Sequence, residues 1–138
     1  MNDIVDFPYP VPEYGAEPFW QACNDEQLVM QRCELCSKLR WQPAPLCTFC
    51  ASDQYVWAPL SGRGRISTWT VVTHPVHPAA AARVPYVVVE VELEEQRGLR
   101  LISNLQGTDH DAIEFDAAVE IAFISHANGQ KLHVFSLA

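Results

Sequence analysis

The segment "RCELCSKLRWQPAPLCTFC", residues 32–50, carries four of the five cysteines of this chain. They form two Cys-x2-Cys pairs, Cys33 with Cys36 and Cys47 with Cys50, separated by ten residues. A Cys-x2-Cys turn presents two thiolates at a separation that suits a tetrahedral metal ion, and two such turns complete a four-thiolate shell. The spacing therefore predicts one structural zinc ion per chain, with no coordination position left open for catalysis.

Two other interpretations of the cysteine pairs are a redox dithiol, which normally uses one pair near a βαβ unit, and four buried thiols without a metal. Neither explains two matched pairs. Iron is an alternative to zinc in an all-thiolate site, especially after recombinant expression. Lys38 and Arg40 lie between the pairs and would offset the negative charge of four thiolates.

The residues on either side of the first pair indicate a hairpin. Residues 27–32, "QLVMQR", are typical of a strand leading into the first pair, and residues 39–45, "LRWQPAP", lead back toward the second. This is the layout of a zinc ribbon. Its ten-residue spacer is shorter than the roughly 15 to 20 residues of one common pattern. A tight hairpin, stiffened by Pro43 and Pro45, can still bridge it.

The residues before the ribbon predict an extended arm followed by a short helix. Pro8, Pro10 and Pro12 exclude a helix in the arm, whereas Pro18 suits the first turn of a helix over residues 17–24. Cys23 lies on this helix, and we expect it to be a small buried apolar side chain rather than a nucleophile.

The residues after the ribbon predict five strands. The candidates are residues 64–73, 85–94, 98–105, 118–124 and 131–136. Apolar and polar residues alternate in several of them, as in "VVVEVEL" at 87–93, so one face of each strand is buried. The expected fold is mainly β, with a small, partly closed five-stranded OB-fold barrel. We divide the chain into an arm and helix at 1–26, a zinc ribbon at 27–58 and an OB-fold at 59–138.

Composition narrows the class of protein. The 138 residues suffice for one compact core, and no apolar stretch reaches the roughly 20 residues of a membrane helix. Seventeen acidic and nine basic residues give a formal charge of −8, which disfavours nucleic acid as a partner. The N-terminal residues lack the pattern of a secretory signal, so we expect a cytoplasmic protein.

Three further groups of residues are candidate sites. His74 and His77 in "THPVHP" are each followed by proline, which prevents the helix that would align two imidazoles on a metal; the loop itself could contact a ligand. Asp109, His110 and Asp111 are typical of a solvated turn.

Arg63, Arg65 and Arg83 flank the first barrel strand and its loop. Such a cluster can hold phosphates or a carboxylate, although each arginine singly is typical of solvated surface. No nucleophile motif is found.

The order of these parts resembles a known family. The resemblance rests on "EPFWQAC" at 17–23, the four cysteines, "WAPLSGRGRI" at 57–66 and "VPYVVVEVEL" at 84–93, and it covers roughly residues 16 to 136. The sequence is similar to small proteins that pair a rubredoxin-like zinc ribbon with an OB-fold and accompany thiolases and related acyl-CoA enzymes.

The resemblance implies a non-catalytic subunit that stabilises a thiolase-like or hydratase-like partner in a hetero-oligomer and helps to hold or pass on acyl-CoA. It implies that Cys33, Cys36, Cys47 and Cys50 bind the metal. Arg63, Arg65 and Arg83 are the candidate acyl-CoA contacts, without a motif to support them. Two alternatives stay open: a single-stranded nucleic-acid binder, as many OB-folds are, and an independent acyl-CoA hydrolase or redox protein.

Overall fold

The computed structural model describes residues 8, 10–13 and 15–138. Most of the predicted N-terminal arm, including residues 1–7, lies outside these residues. The described chain contains one α-helix and eight strands in the following order: α1 Glu17–Asn24, β1 Leu28–Cys33, β2 Leu39–Arg40, β3 Tyr55–Leu60, β4 Arg63–Val72, β5 Tyr86–Leu93, β6 Arg100–Leu105, β7 Ala118–Ser125 and β8 Lys131–Leu137. Short 3₁₀ helices occur at Pro78–Ala80 and His110–Ala112. In this part of the chain no helix combines the length and apolar character needed to cross a membrane.

The ribbon is a three-stranded antiparallel sheet in the order β2-β1-β3. The predicted hairpin is confirmed by the pairing of Gln31 with Arg40. The third strand was not predicted, and the boundary that we placed after residue 58 falls inside it, because the strand continues to Leu60. Pro59 is compatible with this strand because β3 is at an edge of the sheet, where a missing N–H leaves no bond unmade.

The five C-terminal strands form a closed barrel in the order β4-β5-β6-β8-β7. All five predicted segments correspond to strands, and closure is more complete than the partly closed barrel expected from sequence. The valines and the leucine of "VVVEVEL" alternate as predicted, with Val87, Val89, Val91 and Leu93 buried. At the only parallel contact among the described barrel strands, β6 meets β8 through the single pair Leu105 and Phe135.

Helix α1 lies between the ribbon and the barrel and contacts β1 and β8. Phe19 is completely buried, and its ring centroid lies 4.4 Å from that of Trp41 in the ribbon and 5.5 Å from that of His133 in the barrel. The aromatic face of the helix therefore packs against both modules of its own chain. Burial lowers the pKa of His133, which favours the neutral imidazole in this apolar junction.

Side-chain amides also fix the barrel to the ribbon. Gln96, in the loop between β5 and β6, accepts a hydrogen bond from the Leu39 N–H and donates one to the Leu39 carbonyl, both at 2.8 Å. The amide thus occupies the place of a neighbouring strand beside β2, which is only two residues long. This pair of bonds holds the outer strand of the ribbon against the barrel.

We expect Gln96→Ala to lower the free energy of unfolding by about 2 kcal/mol, because it leaves both main-chain groups of the buried Leu39 without their partner. Urea unfolding of the metal-loaded protein measures the change. Gln106→Ala is the matched control, since Gln106 is exposed and its hydrogen bond to Phe135 uses the main-chain N–H. Equal stabilities of the two variants would show that the Gln96 amide does not hold the modules together.

Candidate metal centre and barrel cavity

The two Cys-x2-Cys turns have the same main-chain geometry. In the first, the Ser37 N–H donates to the Cys33 carbonyl at 2.9 Å; in the second, the Ala51 N–H donates to the Cys47 carbonyl at 2.8 Å. The N–H of each turn's first cysteine donates to the carbonyl five residues later, at 2.9 Å in both cases. Ser37 and Ala51 both have positive φ, 65° and 64°. The chain thus builds one turn twice, although the two sequences share little beyond their cysteines.

The four sulfurs are positioned to bind one metal ion. Cys33 Sγ lies 3.5 Å from Cys50 Sγ, Cys36 Sγ lies 3.6 Å from Cys47 Sγ, and all four lie within 4.8 Å of one another. A tetrahedron of sulfurs each about 2.3 Å from a central zinc ion has edges of about 3.8 Å. The sulfur positions therefore fit a tetrahedral four-thiolate site.

The polar surroundings of the sulfurs favour a bound cation. The Cys36 N–H points at the Cys33 sulfur and lowers the pKa of that thiol to about 6. The Ser52 N–H acts to lower the pKa of Cys50, but burial and the other three thiols outweigh it and raise that pKa to about 12. A divalent cation at the centre of the cluster would stabilise all four thiolates.

The two basic residues between the cysteine pairs have different surroundings. Lys38 Nζ lies 5.7 Å from the centroid of the Phe49 ring, next to the second turn. Arg40 is buried, and it donates to Gln31 Oε1 and to the Ala44 carbonyl, both at 2.7 Å. These bonds tie the spacer to β1. Arg40 thus organises the hairpin, a role that its position in the sequence did not reveal.

The positive φ of Ala51 predicts a stabilising substitution. We expect Ala51→Gly to raise the free energy of unfolding of the metal-loaded protein by about 1 kcal/mol, because glycine adopts this conformation without a Cβ clash. Denaturant unfolding provides the measurement. Ala118→Gly, at an exposed strand position, should instead destabilise by about 0.5 to 1 kcal/mol. A loss of stability in Ala51→Gly would contradict this account of the turn.

The three predicted arginine sites are divided between two cavities. Arg63 and Arg65 lie on β4 and line a cavity of about 690 Å³ at one end of the barrel. Arg63 Nη2 lies 2.9 Å from Glu94 Oε1, and its guanidinium lowers the pKa of that carboxyl. Arg83 lines a different cavity, with Pro10 and residues of β6 and β8. The structure therefore brings two of the three arginines together.

Sequence analysis missed the other basic residues of the first cavity, Arg97 and Arg100. Strand pairing explains their position: Arg65 lies opposite Glu92 on β5, and Glu92 lies opposite Arg100 on β6. The three side chains therefore form one row across three strands. The alternation of buried and partly exposed residues along β5 places Glu92 on the outer face. To find the row from sequence, one would also need the register of β5 with β4 and with β6.

The other candidate residues have surroundings typical of structural or surface residues. Burial raises the pKa of the Cys23 thiol to about 12, which keeps it protonated and unreactive, as expected for an apolar packing residue. His77 Nδ1 accepts a hydrogen bond from the Ala79 N–H at 3.1 Å and caps the 3₁₀ turn. Asp109, His110 and Asp111 form an exposed group with ligand atoms near one another, as acidic turns commonly do.

Comparison with known protein families divides the chain into two domains, with a boundary that falls inside β3. Residues 20–56 match the family described as "ChsH2, rubredoxin-like zinc ribbon domain". Residues 57–123 match the family described as "ChsH2, C-terminal OB-fold domain". Together the two matches include the metal centre and most of the barrel.

Two curated proteins are similar in sequence. A "Probable enoyl-CoA hydratase alpha subunit" of Thermomonospora curvata is 38% identical over 118 residues, which are 85% of this chain but 36% of that protein. This chain thus spans about a third of that relative. A "DUF35 domain-containing scaffold protein" of Methanothermobacter thermautotrophicus is 32% identical over 97 residues, which cover 70% of this chain and 71% of that protein.

Two solved structures share the architecture. A chain of the structure described as "Ltp2-ChsH2(DUF35) aldolase" superimposes with a TM-score of 0.84 and 34% identity, covering 94% of this chain and 98% of that one. A DUF35-family protein of unknown function from Sulfolobus solfataricus has a TM-score of 0.61 at 11% identity, covering 91% of this chain and 86% of that one, and supports the fold alone.

Proposed function

Because the chain belongs to the DUF35 family, whose ChsH2-type members join a rubredoxin-like zinc ribbon to an OB-fold, we propose that it is a non-catalytic accessory subunit of a thiolase-like acyl-CoA enzyme complex. The observation that carries the proposal is the match to a chain from the Ltp2-ChsH2(DUF35) aldolase structure, which covers 98% of that chain. A chain with the architecture of this protein is thus present in that structure. The description of the structure names two components, Ltp2 and ChsH2.

The chemistry of the described side chains supports a role without turnover. The four cysteines at the ribbon are proposed to bind one structural zinc ion, which leaves no thiolate for catalysis. The fifth, Cys23, is buried and protonated. The activity is therefore assigned to a partner subunit, either thiolase-like or, as the name of the Thermomonospora relative suggests, hydratase-like. The proposal places this complex in the cytoplasm.

The proposed contribution to the partner's reaction is to stabilise the partner and to help bind or pass on acyl-CoA. Arg63, Arg65 and Arg83 were the sequence candidates for this contact. Arg63 and Arg65 share a cavity in which guanidinium groups could meet phosphates, whereas Arg83 lines another cavity. Both cavities lie on the barrel, so the proposal assigns acyl-CoA to the barrel and metal binding to the ribbon.

Co-expression tests the proposal. The tagged chain is produced with a thiolase-like or hydratase-like subunit encoded near it, and the purified material is analysed by size-exclusion chromatography with light scattering. We expect a hetero-oligomer of fixed stoichiometry, higher partner activity in the complex than for the partner alone, and no acyl-CoA turnover by the isolated chain. A chain that stays monomeric beside these partners, or that turns over acyl-CoA alone, would refute it.

A further inference from the structure

The cavity at one end of the barrel concentrates positive charge in an acidic protein. Four of the nine basic residues line it, although the chain as a whole has a formal charge of −8. They come from β4, from β6 and from the loop between β5 and β6: Arg63, Arg65, Arg97 and Arg100. The volume of about 690 Å³ falls within the range of small-molecule sites.

Two of these arginines are available to a ligand. Arg63 pairs with Glu94, and Arg100 lies 4.0 Å from both Glu90 and Glu92. Within the described residues, by contrast, neither of the other two, Arg65 and Arg97, forms an ion pair.

The available arginines face a lining of mixed charge. Arg65 Nη1 donates one hydrogen bond to the Asp116 carbonyl at 3.0 Å and keeps its remaining donors. Glu92, Glu94 and Asp116 also line the cavity, so the side chains that line it carry a formal excess of one positive charge. This balance favours an anion held by directed guanidinium bonds over one attracted by net charge alone.

An exposed aromatic side chain stands beside the arginines. Phe115 lines the same cavity with 70% of its surface exposed, and its ring centroid lies 4.7 Å from that of Trp69 on β4. Trp69 supports one side of Phe115, whereas the exposed surface remains available for stacking. A flat heteroaromatic ring can stack on such a platform.

From these features we infer that the cavity binds the phosphorylated adenosine end of coenzyme A, with the phosphates on Arg65 and Arg97 and the adenine on Phe115. The identity of the nucleotide rests on the proposed function; the combination of free guanidinium groups and an aromatic platform itself selects a phosphorylated nucleoside. Arg83 then has no part in binding the phosphates, because it lines the other cavity.

Isothermal titration calorimetry with 3′-phosphoadenosine 5′-diphosphate tests the site in the isolated, metal-loaded chain. We expect saturable binding at one site. Arg97→Ala should weaken it about tenfold through the loss of a charge-assisted bond, and Phe115→Ala about fivefold or more through the loss of stacking. Arg32→Ala, which removes an exposed arginine of the ribbon, should leave the affinity unchanged.

A ten-nucleotide single-stranded DNA, titrated in parallel, distinguishes the two sources of a phosphorylated nucleoside. Tighter binding of the DNA than of the mononucleotide would overturn the assignment to coenzyme A. Absence of mononucleotide binding, or equal weakening by Arg32→Ala and Arg97→Ala, would overturn the site. Co-purification of Arg97→Ala with the partner enzyme is measured separately. This experiment tests the subunit role independently of the nucleotide site.

Discussion

Replacing Cys47 with serine is expected to reduce bound zinc from about one ion per chain to near zero and to unfold the ribbon. The two turns are joined through the sulfurs, and β2 contributes only two residues to the sheet. We therefore expect metal binding to supply a large part of the folding free energy of this module, as in other small zinc domains. Elemental analysis measures the zinc, and thermal unfolding followed by circular dichroism should show a lower Tm with a broader transition.

Cys23→Ala is the matched control, because it removes the one cysteine that lies outside the cluster. It should retain about one zinc ion per chain while losing a small amount of packing energy at a buried position. Treating the unaltered protein with a strong chelator should reproduce the Cys47→Ser spectrum. Full metal content and an unchanged Tm in Cys47→Ser would contradict a four-thiolate structural site.

The features predicted correctly from sequence depend on short-range patterns. The metal cluster followed from the spacing of cysteines within 18 residues, since each turn is a local structure. The barrel strands followed from a period of two, which any strand with one buried face displays. Helix α1 followed from Pro18 and the spacing of its apolar residues.

The features that sequence reasoning missed depend on which distant residues become neighbours. Gln96 and Leu39 are 57 positions apart, and nothing near either residue indicates the paired hydrogen bonds between them. Strand β3 was missed for a different reason: the boundary between ribbon and barrel was placed just before Pro59, a residue that is unfavourable inside a sheet but acceptable at its edge. The order of strands in the ribbon decides whether Pro59 lies inside the sheet or at its edge. No local feature of the sequence indicates that order.

The cavity lined by arginines was predicted in part, because some of its residues follow from a short-range pattern and others depend on strand pairing. Arg63, Arg65 and Arg83 were grouped because they flank the first barrel strand and its loop, but Arg83 lies in another cavity. Arg97 and Arg100 were overlooked because they follow an acidic segment whose charge they offset. The pairing of β5 with β4 and β6 determines the actual set.

The second large effect is expected at Gly64, where barrel closure depends on the absence of a side chain. Gly64 pairs with Leu93 on β5 and with Val119 on β7, so it lies where β4 joins both of its neighbours. A Cβ at this position would overlap the Glu92 carbonyl and lie 2.6 Å from Val91 Cγ1. Because one of these atoms belongs to the main chain of β5, the strands must move apart to accept it.

We therefore expect Gly64→Ala to lower the free energy of unfolding by about 3 kcal/mol and the Tm by roughly 10 °C. Gly98→Ala separates this effect from backbone strain: Gly98 has a φ of +82°, and an added Cβ there would meet no atom within 4 Å, so its substitution should cost only about 1 kcal/mol. Thermal and urea unfolding measure both. If Gly64→Ala were no more costly than Gly98→Ala, the close approach of β4 to β5 would not be what requires glycine, and the arginines on either side of Gly64 would owe their position in the cavity to some other contact.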